Sequence, residues 1–145
     1  MQIRQSFIQC AKQAANWEDA VRKAALPMLE EGLIEEAYIE AMFQTVREFG
    51  SYIVIAPDVA MPHARPDKTV HEAGFAVLRL DEPVYFGEQE DSRARLIIPI
   101  ACTDGDSHLE MIAGLAEVLG DPETVEKMLN AADETEIYEI ISAKF

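Results

Sequence analysis

The run Ala94-Arg95-Leu96-Ile97-Ile98-Pro99-Ile100-Ala101 is apolar at nearly every position. A strand with one wet face alternates between apolar and polar residues, so a strand that does not alternate has to be covered on both faces. Two stretches before this run have the pattern of covering helices. Asn16 offers an N-cap, and Trp17, Val21, Ala24, Ala25, Met28 and Leu29 form a helical apolar stripe that stops at Gly32; Pro27 inside it predicts a kink or an early end. A second amphipathic helix is expected from about Glu35 to Glu48, with Ile39, Met42, Phe43 and Val46 inward and Gly50 closing it.

After the run the helical period returns. Leu109, Ile112, Ala113, Leu115, Ala116 and Leu119 form a stripe from Ser107 to Gly120. Asp121-Pro122 takes the N-cap and N1 positions of the next helix, and Thr135 is read as the cap of a last one ending near Lys144. Phe7–Cys10, Tyr52–Ile55 and Gly74–Leu80 read as strands, and Val84-Tyr85-Phe86 as a short edge strand. Helices at both ends with strands between them predict a single α/β domain over residues 1–145, a mixed β-sheet sandwiched between layers of α-helices.

Composition narrows the function classes. Apolar residues make up 49% of the 145, enough for one packed core. The net charge of -15 argues against a nucleic-acid partner, disfavours anionic membranes, and suits a basic protein partner. No apolar run approaches the ~18 residues of a membrane span, and Met1-Gln2-Ile3-Arg4-Gln5 turns polar too soon for a signal peptide. The expectation is a soluble, cytoplasmic protein without membrane insertion. Cys10 and Cys102 lack disulfide or zinc spacing and read as reduced thiols.

The unusual stretch is Ile55-Ala56-Pro57-Asp58-Val59-Ala60-Met61-Pro62-His63-Ala64-Arg65-Pro66, whose prolines stiffen the backbone and exclude a helix. It presents an imidazole beside a guanidinium, which suits anion or phosphoryl chemistry: His63 as nucleophile, Arg65 as a nearby cation. Taken alone, Pro62-His63-Ala64 is better read as a loop histidine making ordinary hydrogen bonds. His108 adds weight, because it opens the helix that follows the buried strand, where α/β sheets bind ligands and free N–H groups favour anions. An exposed first-turn histidine is its plainer reading. Arg47 is a further candidate, or else a favourable charge at the end of a helix. His71, between Val70 and Glu72, reads as surface.

With Arg47-Glu48, Tyr52-Ile53-Val54-Ile55-Ala56-Pro57 and Ala60-Met61-Pro62-His63-Ala64-Arg65-Pro66 in that order, the chain resembles the enzyme IIA domain of the sugar phosphotransferase system. The likeness is to the mannitol/fructose class and its ascorbate-type branch. Gly74-Phe75, Glu82-Pro83-Val84, Phe86-Gly87, Asp106-Ser107-His108-Leu109 and Leu115-Ala116 extend it over nearly the whole chain. The resemblance implies that His63 takes a phosphoryl group on Nε2 from the histidine phosphocarrier protein and passes it to a cysteine of enzyme IIB. The membrane permease is then an indirect partner. It further implies that His108 stabilises the phosphoryl group, that Arg47 is a charge clamp, and that the transfer needs no metal or organic cofactor.

Three alternatives stand beside this one. A regulatory enzyme IIA-like domain would use the same histidine to sense phosphorylation state and bind partners without moving a sugar. Cys102-Thr103-Asp104-Gly105-Asp106-Ser107 has the look of a cysteine phosphate loop, but its aspartates would repel the anion. A metal-dependent hydrolase would have to use His63, His71 and His108, which lack ligand spacing.

Overall fold

A five-stranded mixed sheet lies between two helical layers in the computed structural model, which describes residues 3–145. Met1 and Gln2, on which part of the N-terminal reading rests, lie outside the described residues. The elements run β1 (Ile8–Ala11), α1 (Trp17–Glu30), α2 (Glu36–Phe49), β2 (Val54–Ala56), β3 (Asp58–Ala60), β4 (Gly74–Phe75) and β5 (Val77–Tyr85). They continue with β6 (Arg93–Ile97), β7 (Ile100–Ala101), α3 (Gly105–Leu119), α4 (Pro122–Leu129) and α5 (Glu134–Ser142). The sheet order is β1-β5-β6-β3-β2; β1 is parallel to β5 and β3 to β6, and the other pairs are antiparallel. Among the described residues no helix is long and apolar enough to cross a membrane.

The inner strands divide their side chains between two cores, as a period of two requires. Leu78, Leu80 and Ile97 face α1 and α2, with Val21, Met28, Ile39 and Met42. Val77, Leu96 and Ile98 face α3, α4 and α5, with Met111, Leu115, Met128 and Ile137.

The expected strand 94–101 is interrupted. β6 and β7 are separated by Ile98-Pro99, and β4 and β5 by Ala76, yet the register Leu78↔Ile97 continues as Phe75↔Ile100 and Gly74↔Ala101. One antiparallel pair therefore runs through both segments, broken where Pro99 has no N–H to give the ladder. Val84-Tyr85 is the end of β5 and not a separate edge strand.

Other boundaries moved for local reasons. Tyr52 and Ile53 belong to a 3₁₀ turn over Gly50–Ile53, so the strand begins at Val54. Asp58–Ala60, read as loop, forms β3 between β2 and β6. Asp133, not Thr135, caps α5: its side chain accepts from Glu136 N–H at 3.0 Å. Asn16 caps α1 as expected, accepting from Asp19 N–H at 2.8 Å.

α1 passes through Pro27 without ending there. Pro27 cannot donate to the Lys23 carbonyl, and the Gln9 side chain from β1 donates to it instead, at 2.7 Å. Gly50, at φ 68, then closes α2 in the left-handed region and turns the chain toward β2.

Candidate active site

β3 delivers the proline segment to the edge of the sheet. Its pairing continues beyond Ala60: Met61 N–H donates to Ile53 C=O at 3.0 Å, and Ile100 N–H donates to Pro62 C=O at 3.0 Å. His63 is thus the first residue to leave a fully tied backbone. Its Nδ1 lies 2.7 Å from the Met61 carbonyl. A carbonyl only accepts, so Nδ1 carries the proton and Nε2 keeps the free lone pair.

β7 delivers the second imidazole. The chain passes from Ala101 through Cys102 to Asp104, whose side chain accepts from Ser107 N–H at 2.8 Å and starts α3. That places His108 in the first turn, its ring centroid 5.3 Å from that of His63 with the planes at 53°. His108 Nδ1 is buried and has no hydrogen-bond partner among the described residues. Burial first, and the neighbouring His63 second, lower the His108 pKa below its ordinary 6.5.

Both histidines line a cleft of about 990 Å³ whose other wall is α2. Ala41, Gln44, Thr45 and Glu48 face it with the i, i+3, i+4, i+7 spacing of one helical face. Arg65 lines the same cleft and is exposed. Phe49 and Tyr52 stand at its mouth, 62% and 81% exposed, and Leu109 beside His108 is 68% exposed.

The structure does not bring Arg47 to the histidines. One residue short of Glu48, it falls on the next face of α2, where its guanidinium lies 5.7 Å from the Phe43 ring and 3.8 Å from Glu18. Among the described residues, Arg65 is the cation that lines the cleft. His71 is on the surface, paired with Glu35 at 2.8 Å. Cys102 is 1% exposed, and burial pushes its thiol up to about 11, which removes it as a thiolate nucleophile. Cys10, also free, is shifted upward chiefly by burial. Among the described residues no three His, Cys, Asp or Glu side chains converge as metal ligands do.

A backbone carbonyl or a carboxylate on the other ring nitrogen is what the chemistry of His63 calls for, but the sequence does not identify it as Met61 C=O, because backbone acceptors have no letter. The sequence reading missed Gln44, Thr45 and Glu48 as cleft residues because they look like the wet face of any amphipathic helix.

The fold is that of the phosphotransfer proteins called enzyme IIA. The solution structure of the mannitol-specific cryptic phosphotransferase enzyme IIA from Escherichia coli superposes with a TM-score of 0.90 at 32% identity, covering 98% of this chain and 96% of that one. A complex of enzyme IIA for mannitol with phosphorylated enzyme IIB from Escherichia coli matches at a TM-score of 0.85 and 26% identity, with 98% of each chain covered. In sequence, the mannitol-specific cryptic enzyme IIA component of Escherichia coli strain K12 is 34% identical over 138 residues, 95% of this chain and 93% of that protein. The ascorbate-specific EIIA component of Mycoplasma pneumoniae is 33% identical over 129 residues, 88% of this chain and 80% of that protein. A family model described as "Phosphoenolpyruvate-dependent sugar phosphotransferase system, EIIA 2" matches residues 1–144, and the chain belongs to that family.

Proposed function

We propose that the protein accepts a phosphoryl group on Nε2 of His63 from the histidine phosphocarrier protein in the cytoplasm and passes it to a cysteine of an enzyme IIB. The relay serves coupled uptake, through a membrane permease, of a sugar of the ascorbate-like kind. The 2.7 Å contact of His63 Nδ1 with the Met61 carbonyl carries this reading, because it leaves Nε2 as the nucleophile.

In the first step the Nε2 lone pair attacks phosphorus in line, the new N–P bond forms, and the donor's N–P bond breaks. In the second, a cysteine thiolate of enzyme IIB takes the phosphoryl group and His63 recovers its lone pair. The His108 tautomer that leaves its buried Nδ1 unprotonated has its N–H on Nε2, a donor for a phosphoryl oxygen. Arg65 adds positive charge from the cleft wall. Arg47 joins only by leaving Glu18, and an exposed pair at 3.8 Å holds it weakly. Glu48 and Asp67, also in the cleft lining, oppose the anion and keep the group transferable. The exposed Phe49, Tyr52 and Leu109 suit docking of protein partners.

The test is phosphorylation by phosphoenolpyruvate, enzyme I and the histidine phosphocarrier protein. Wild type should gain one phosphoryl group and His63→Ala none; His108→Ala should accept the group and transfer it poorly. Label on His71 or Cys102 would overturn the assignment. Phosphorylated protein that transfers nothing to its enzyme IIB would favour the regulatory use of the same site.

A further inference from the structure

Tyr38 of α2 is completely buried, yet its hydroxyl meets backbone groups of two residues at the site. It accepts from Ala64 N–H at 3.1 Å and donates to Ile100 C=O at 2.5 Å. Ile100 N–H in turn donates to Pro62 C=O at 3.0 Å. These three bonds, with the Ile100 backbone and the backbone from Pro62 to Ala64, form a closed circuit of which His63 is a link. The imidazole is held beside that circuit by its own bond to Met61 C=O at 2.7 Å.

Ile100 also belongs to β7, from which the chain reaches His108 after a few residues. One hydroxyl is therefore tied both to the residue after His63 and to the strand that leads to His108. A phenylalanine would fill the same space in the core and hold neither backbone group. Burial raises the phenol pKa, so the group stays neutral and can both donate and accept.

We propose that Tyr38 is a positioning residue for phosphoryl transfer: by bridging Ala64 N–H and Ile100 C=O, its hydroxyl sets the distance and orientation of His63 relative to His108. The proposal rests on the reading of His63 as the phosphoryl acceptor. A purely structural tyrosine would lower stability when changed and leave the imidazoles where they are.

The experiment uses the full chain as wild type, Tyr38→Phe and Ile137→Ala. Ile137 is buried in the other core and makes none of the hydrogen bonds that hold the loop, so its truncation destabilises without removing any of them. Folding of each variant is first checked by circular dichroism. Phosphoryl uptake from the phosphorylated histidine phosphocarrier is then measured against donor concentration, together with the imidazole nitrogen shifts of His63 and His108 in the unphosphorylated protein.

The expected result is that Tyr38→Phe lowers kcat by about tenfold to a hundredfold with KM changed by less than about twofold, while Ile137→Ala keeps wild-type kcat. In Tyr38→Phe the His63 nitrogen shifts should move from the single Nδ1–H tautomer toward a mixture. If Tyr38→Phe does not fold, an ester in place of the amide between His63 and Ala64 removes the Ala64 N–H that donates to the phenol while leaving the phenol and core intact, and should likewise lower kcat. Wild-type kcat and unchanged imidazole shifts in a folded Tyr38→Phe, or in the ester variant, would overturn the proposal. So would an equal loss of kcat in Ile137→Ala. If the wild type takes up no phosphoryl group, the functional reading fails, and the imidazole shifts still decide the role of Tyr38.

Discussion

His108 is where burial and charge act on the same ring. Its pKa is lowered first by desolvation and second by His63, which favours the uncharged imidazole at neutral pH. A phosphoryl dianion on His63 reverses the second effect, because a negative neighbour favours imidazolium. The His108 titration midpoint, followed by NMR, should therefore lie below 6.5 in the free protein and move upward on phosphorylation. The same shift has a stability consequence. Below 6.5 the unfolded chain binds a proton at this histidine more readily than the folded one. The contribution is then complete above 6.5 and is lost as pH falls toward the depressed folded value. In urea unfolding series, wild type should lose more stability on mild acidification than His108→Gln, which has no such proton to bind.

At the scale of elements, stability depends on how backbone groups left without helical or strand partners are satisfied. Arg79 of β5 is 7% exposed, and its Nη1 donates to the Met128, Leu129 and Ala131 carbonyls at 3.3, 3.0 and 2.9 Å. It closes the C-terminus of α4 from beneath, where the last carbonyls have no helical donor. Arg79→Met keeps much of the apolar stem and removes the donor shared by these carbonyls, while Met128 C=O keeps the Ala131 N–H at 3.4 Å, and the cost should be about 2–4 kcal/mol in urea unfolding. Gln9 satisfies a more exposed carbonyl, that of Lys23 opposite Pro27, so Gln9→Leu should cost only about 0.5–1.5 kcal/mol by the same measurement.

These bonds also explain which elements could be read from residues alone. The stripes 17–29, 39–46 and 109–119 carried the helical period and appear as α1, α2 and α3. The end of α1 depended on a glutamine from another strand, and the split of 94–101 on what Pro99 could not donate; neither is a local signal. β3 is three residues between two strands, too short for alternation to mark it.

For the whole molecule, the candidate site was legible as a set of residues and less so as geometry. His63 and His108 stand forty-five residues apart in sequence, yet parallel β3 and β6 carry both chains to the same edge of the sheet. Helical spacing, however, turned Arg47 toward Glu18.

Partner encounter belongs to this scale as well. A net charge of -15 attracts a basic partner from beyond contact distance, whereas the exposed Phe49, Tyr52 and Leu109 act only at contact. Long-range attraction governs the association rate and is screened by salt; apolar contact governs the lifetime of the complex. Stopped-flow transfer from the phosphorylated histidine phosphocarrier should therefore show kcat/KM falling several-fold as salt rises from roughly 0.05 to 0.5 M. Tyr52→Ala should raise KM about tenfold at every salt concentration and leave the slope against salt unchanged. A changed slope would mean that Tyr52 acts on the encounter and not on the docked complex, and a flat salt profile in wild type would remove charge as the steering force.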